Sequence, residues 1–184
     1  MRSGSGAERK TDAVALMDRI RRGSMEAFRE LLNEWQHPLY TFFRRLGIQP
    51  ADADDCLQEL FVRIYTYRDR FEGNNFRAFV FHLARNVSVD HFRHRARVRR
   101  AQPLDCDPAY VPSSQRWEDS CDCHWALDQL PERLRVVLVI NVLEGFNYQE
   151  TARILGVPVG TVKSRVHYAL QRFKSVLRVQ YERT

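Results

Sequence analysis

The chain has 184 residues, 44% of them hydrophobic, and a formal charge of +6 at pH 7, with a pI near 9.4. That length suits one medium domain or two small ones, and the positive charge favours a polyanionic partner. No apolar run approaches the roughly eighteen residues that would suggest a membrane span, and Met1 to Lys10 lacks the apolar core of a secretion signal. A cytoplasmic protein is therefore expected, and its four cysteines read as thiols of a reducing compartment rather than disulfides.

In chain order, residues 1–10 read as a tail. A short helix, Asp12 to Arg22, ends at Gly23, and Ser24 can cap a long segment, Met25 to Leu46, that ends at Gly47. Pro38 should kink or split that segment. A third helix starts after Pro50, with Asp52, Asp54 and Asp55 at its positive end and Leu57, Leu60, Phe61 and Ile64 at helical spacing. Gly73-Asn74-Asn75 breaks the chain before a fourth helix, Phe76 to about Val98. These elements form a first block, residues 11–100.

Residues 101–122 change character: three prolines (103, 108, 112) and acids at 105, 107, 118, 119 and 122 face Arg116 alone. This is an acidic, extended linker. The second block, residues 123–184, opens with helices at Trp125–Leu130 and Glu132–Leu143. Val136–Ile140 could mimic a strand, but its flanking leucines and the Gly145 stop favour a buried helix. The fold class expected is all-α, with two small helical domains joined by an extended linker.

The end of the second block is the most informative segment. Tyr148–Leu155 is short and amphipathic, and Asn147 with Glu150 three residues on can form a capping box. Gly156 falls where this helix must stop in a left-handed conformation, and Pro158 suits the first turn of the next. Ile154, Leu155, Val157, Val162 and Val166 can pack inward. Thr161, Lys163, Ser164, Arg165, His167 and Tyr168 are then candidates for an outward, base-reading face of a helix-turn-helix, since lysine or arginine can donate to guanine and serine suits any base edge.

The fourth helix mixes aromatics (Phe76, Phe79, Phe81, Phe92) with Arg77, His82, Arg85 and Asn86. Rings beside arginines suit single-stranded DNA, where bases stack and phosphates meet cations. Arginines 85, 93, 95, 97, 99 and 100, against Asp90 as the one acid between 85 and 100, should track phosphates and make binding salt-dependent.

Four segments complete a pattern: Asp52-Ala-Asp-Asp-Cys-Leu-Gln-Glu-Leu-Phe-Val-Arg-Ile-Tyr65, Phe76-Arg-Ala-Phe-Val-Phe-His-Leu-Ala-Arg-Asn86, Leu130-Pro-Glu-Arg, and Tyr148-Gln-Glu with Pro158-Val-Gly-Thr-Val-Lys-Ser-Arg165. In this order they resemble a bacterial RNA polymerase sigma factor of the extracytoplasmic-function (ECF) type, over roughly residues 25–180. The resemblance implies a non-enzymatic subunit without cofactor or metal. Such a subunit binds core RNA polymerase, recognises promoter DNA both duplex and single-stranded, and is often held by an anti-sigma factor. It implies core-polymerase binding by Asp55, Gln58 and Glu59 and minus-ten binding by Arg77, Phe81, Arg85, Asn86, Arg93 and Arg95, with Phe81 and Asn86 near the pocket for an unstacked base. Thr161 to Tyr168 would then read the minus-thirty-five element. The linker, about twenty residues, would span at most roughly 66–72 Å when extended, enough for two turns of DNA at about 34–36 Å each.

Some positions depart from that pattern. Tyr65 and Phe79 stand where the family often has tryptophan, and Lys163 stands where arginine is also common, which softens guanine discrimination. Two other readings stay open: a stand-alone helix-turn-helix regulator, and a zinc- or thiol-responsive regulator acting through Cys106, Cys121, Cys123 and His124. The Cys-x-Cys-His spacing is not that of common zinc sites, and Cys56 is expected to be a core thiol.

Overall fold

The computed structural model describes residues 5–73, 75–101 and 121–181. Helices α1 (Ser5–Arg21), α2 (Met25–Arg45), α3 (Pro50–Thr66) and α4 (Phe76–Ala101) build the first block, with a short 3-10 turn at Arg68–Arg70. The second block holds α5 (Cys121–Asp128), α6 (Glu132–Leu138) with a π turn at Val139–Leu143, α7 (Tyr148–Leu155) and α8 (Val159–Tyr181). No strand occurs among the described residues. Most of the expected linker and its acids Asp105, Asp107, Glu118 and Asp119 lie outside the described residues.

Several expectations change, among them the helix expected at Trp125–Leu130, which runs over Cys121–Asp128. Helix α1 starts at Ser5, not Asp12, because Ala7 to Lys10 are good helix formers with no stop signal. Helix α2 runs unbroken through Pro38. Leu31, Trp35, Leu39, Phe42 and Phe43 are all buried along it, and that shared burial outweighs the roughly 3 kcal/mol a mid-helix proline costs. The apolar run 132–143 is not one regular helix, since it widens into the π turn after Leu138.

Helix α3 buries Ala53, Cys56, Leu60 and Ile64, a three-to-four-residue spacing that turns one stripe onto α2 and α4. Helix α4 answers with Phe76, Val80, Phe81, Leu83, Ala84 and Val87. The core does not stop at the block boundary: Phe146, Ile154 and Leu155 join the same buried cluster as Phe42 and Phe81. Gly47 lies at this junction with φ +83°, and a Cβ there would overlap the Arg135 guanidinium, which donates to the Leu46 carbonyl at 2.8 Å.

The helix-turn-helix forms through local chemistry. The Asn147 side chain accepts from the Glu150 N–H at 2.9 Å, and the Glu150 carboxylate accepts from the Asn147 N–H at 3.1 Å. Gly156 ends α7 at φ +65°. Pro158 stands just before α8, its carbonyl accepting from Thr161 and Val162. It is thus a cap residue and not, as expected, a member of the first turn.

Asn147→Ala removes one half of the capping box and should lower stability by about 0.5–2 kcal/mol, read as a lower urea midpoint at unchanged slope. Burial, reinforced by Asp52, Asp55 and Glu59, pushes the Cys56 thiol up to about 11. Because the thiolate is the nucleophile, Cys56 should resist a maleimide at pH 8 in the native chain while the exposed Cys123 reacts; peptide mapping that finds prompt native labelling of Cys56 contradicts this.

Candidate nucleic-acid interfaces and an acidic face

On α8, Val162, Val166 and Ala169 are buried. The periodicity of the helix therefore turns Lys163, Ser164, His167 and Tyr168 outward, while Thr161 and Arg165 are half-buried. Tyr168 is 61% exposed, and its ring lies 5.9 Å from that of His167. Ser164 donates to the Thr161 carbonyl at 3.0 Å, so its hydroxyl keeps its acceptor lone pairs for another donor. This face brings a cation, a hydroxyl, an imidazole and a phenol together on one exposed surface.

Helix α4 carries a second cationic face. Arg93, Arg95, Arg97 and Arg100 are exposed on its C-terminal half. Arg95 lies 3.9 Å from Asp52. Beside it, burial holds the His91 imidazole below its ordinary pKa, opposed by Asp52, so its ring adds no charge at neutral pH. Nearer the N-terminus, Arg85 donates to Asn86 Oδ1 at 3.0 Å, and Asn86 Nδ2 lies 3.2 Å from His82 Nε2.

Two members of the expected strand-binding set sit differently. Phe81 is 1% exposed, its ring edge-on to Phe42 at 5.1 Å and to Phe146 at 5.3 Å. It falls on the apolar stripe of α4, so the 3.6-residue period turns it inward. Phe76 is likewise buried, against Trp35 at 5.1 Å, whereas Phe79 and Phe92 are half-buried. Arg77 is engaged within the chain, although its side chain stays 39% exposed: it pairs with Glu144 at 3.5 Å and lies 4.2 Å from the centre of the Phe146 ring.

Glu144 is the residue that sequence reasoning missed. Arg45 pairs with it at 2.8 Å and Arg77 from a second direction. Burial raises the Glu144 carboxyl above its ordinary pKa, opposed by both arginines. Its partners lie 99 and 67 residues away in sequence, so no local pattern signals the cluster.

The third face is acidic. Asp54, Asp55, Gln58 and Glu59 are exposed on α3, opposite the buried Cys56 and Leu60. Glu59 accepts from Arg63 at 2.8 Å, and Arg63 also donates to Asp90 on α4 at 2.9 Å. Asp55 and Gln58 stand clear of that network, one helical turn from each other.

Among the described residues no group of three or more His, Cys, Asp or Glu side chains could hold a metal ion. Cys106 lies outside them, as does the Cys121 side chain, while His124 is half-buried, and burial, then Arg45, holds its imidazole below its ordinary pKa. No described helix is long and apolar enough to cross a membrane.

Comparison with known proteins separates the same two blocks. Residues 31–98 match the model "Sigma-70 region 2" and residues 125–173 match "Sigma-70, region 4". The chain is 32% identical over 161 residues to the ECF RNA polymerase sigma factor SigE of Mycolicibacterium smegmatis, covering 84% of this chain but 63% of that protein. It is 29% identical over 177 residues to the RNA polymerase sigma-H factor of Pseudomonas aeruginosa, covering 88% and 92%. The solved sigma factor RpoE of Bartonella quintana, in complex with the anti-sigma factor NepR, is similar at TM-score 0.70 and 28% identity, covering 84% of this chain and 99% of that one. With both sigma-70 regions in order, on an all-helical scaffold, the chain belongs to the ECF-type RNA polymerase sigma factors of the sigma-70 family.

Proposed function

We propose that this chain binds core RNA polymerase and directs it to promoters, where it supports recognition, strand opening and initiation. The observation that carries the reading is the separation of faces: exposed carboxylates on α3, and cations on α4 and α8. Carboxylates repel DNA phosphates and suit a protein partner, whereas the cationic faces attract DNA.

In this reading residues 11–100 engage polymerase and the minus-ten element, residues 123–184 engage the minus-thirty-five element, and residues 101–122 tether them. Asp55, Gln58 and Glu59 grip polymerase. Arg85, Arg93 and Arg95 meet phosphates near the minus-ten element, Asn86 meets an unstacked base, and Arg77 and Phe81 join them once uncovered. Thr161, Lys163, Ser164, Arg165, His167 and Tyr168 read the duplex. The chain is not an enzyme, uses no cofactor and acts in the cytoplasm. The similar Bartonella protein was solved with an anti-sigma factor, which supports an anti-sigma partner here as well.

Transcription in vitro with purified core enzyme and a promoter library tests the proposal. Initiation from a defined promoter class is expected; tight duplex binding with no polymerase-dependent initiation would favour a stand-alone regulator. In the same assay Lys163→Ala should relax preference at one minus-thirty-five position by about 1–3 kcal/mol; equal weakening on all sequences would mean that Lys163 touches only phosphate. Glu59→Arg should reduce co-purification with core while leaving duplex affinity unchanged, and undiminished co-purification would remove Glu59 from that interface.

A further inference from the structure

A chain of hydrogen bonds runs from Arg85 to α7, and its two ends fix its direction. Arg85 Nη1 donates to Asn86 Oδ1 at 3.0 Å. Asn86 Nδ2 lies 3.2 Å from His82 Nε2, one helical turn back along α4. His82 Nδ1 lies 3.2 Å from the Ile154 carbonyl. A guanidinium has donors and no acceptor, and a carbonyl has acceptors and no donor. The amide end that faces Arg85 must therefore be the oxygen, so the amide nitrogen faces His82. That nitrogen only donates, which makes His82 Nε2 the acceptor and puts the ring proton on Nδ1. An Nδ1–H is also what the Ile154 carbonyl requires. Both ends thus impose one tautomer on the ring and one orientation on the amide.

These contacts use two of the four hydrogen-bonding valences of the Asn86 amide, and one Oδ1 lone pair and one Nδ2–H remain. Through such a pair asparagine takes the donor–acceptor edge of a base, a contact that discriminates between bases by about fivefold or more. The order of acceptor and donor holds only if the amide is kept from turning over. Arg85 does this at the oxygen and His82 at the nitrogen. His82 is exposed and takes no part in the buried core, so packing does not account for its place in the chain of bonds.

We infer that His82 is a positioning residue for base choice. By accepting from Asn86 it keeps the free acceptor and donor of that amide in one order toward the unstacked base of the minus-ten element. The base-choosing role rests on the sigma-factor reading, whereas the tautomer of the ring does not.

Two measurements on the full chain test this. In the unaltered chain labelled with nitrogen-15, the ring couplings of His82 at pH 8 should place the proton on Nδ1. A proton on Nε2 would overturn the inference whatever the chain does with DNA. The second measurement reads initiation with purified core polymerase on promoters randomised across the minus-ten element. Asn86→Ala should flatten base preference at one position. His82→Gln, whose amide oxygen can accept as Nε2 does, should keep that preference within about twofold of the unaltered chain. His82→Lys places there a side chain that only donates, so preference at the same position should fall about fivefold or more, with the other positions unchanged. Its added charge strengthens binding to every sequence alike and leaves relative preference unmoved. In the Asn86→Ala background His82→Lys should alter no preference, because the two residues act through one contact. Unchanged preference in His82→Lys, an equal loss at every position, the same loss in His82→Gln, or no position flattened by Asn86→Ala would each overturn the inference. Absence of initiation by the unaltered chain would overturn the sigma-factor reading and the base-choosing role with it, an outcome distinct from a wrong tautomer.

Discussion

Helix α4 carries more aromatic surface than water will tolerate, and the arrangement of the molecule follows from how that surface is covered. Phe76, Val80, Phe81, Leu83, Ala84 and Val87 form one buried stripe, each large side chain contributing about 1.5–3 kcal/mol on burial. Helices α1 to α3 cover part of it. The rest is closed from the second block, where Phe146 meets Phe81 and α7 packs along α4. The opposite side of α4 is free to carry arginines because the stripe alone anchors the helix. An element that is both a core component and a cationic surface achieves this by dividing its circumference.

The acids of α3 and the bases of α4 are neighbours, yet they stay largely separate. The Glu59–Arg63–Asp90 chain and the Asp52–Arg95 pair involve exposed partners, and such pairs contribute only about 0–1 kcal/mol. They do not hold α3 to α4; Cys56, Leu60 and Ile64 do. Charge on these surfaces is therefore available for recognition rather than committed to the fold. A net charge of +6 draws the chain toward nucleic acid, while the acidic patch on α3 keeps one region suited to a protein.

Where a structural feature depends on residues close in sequence, it was legible. The Asn147–Glu150 box, the Gly156 stop and the buried Val162–Val166 stripe each follow from residues within a few positions of one another, and each forms as local chemistry requires. The family resemblance added the faces of α3 and α4. The features that escaped depend on distant packing. Pro38 is tolerated because five side chains of α2 are held by other helices. Helical periodicity gave α4 an apolar stripe, but nothing in the periodicity of α4 reveals that Phe146 completes its cover. Nor could it place Glu144 between Arg45 and Arg77.

The Glu144 cluster ties the second block to the first through its chemistry. Burying a carboxylate is costly, and burial does raise the Glu144 carboxyl above its usual pKa; the two arginines offset that cost only while both blocks are together. Breaking a buried pair and leaving one charge unsatisfied is strongly unfavourable, so a partial opening has little to stabilise it. The Glu144 cluster therefore makes the contact between the two blocks cooperative, since it favours the arrangement in which Arg45 and Arg77 both reach the one carboxylate.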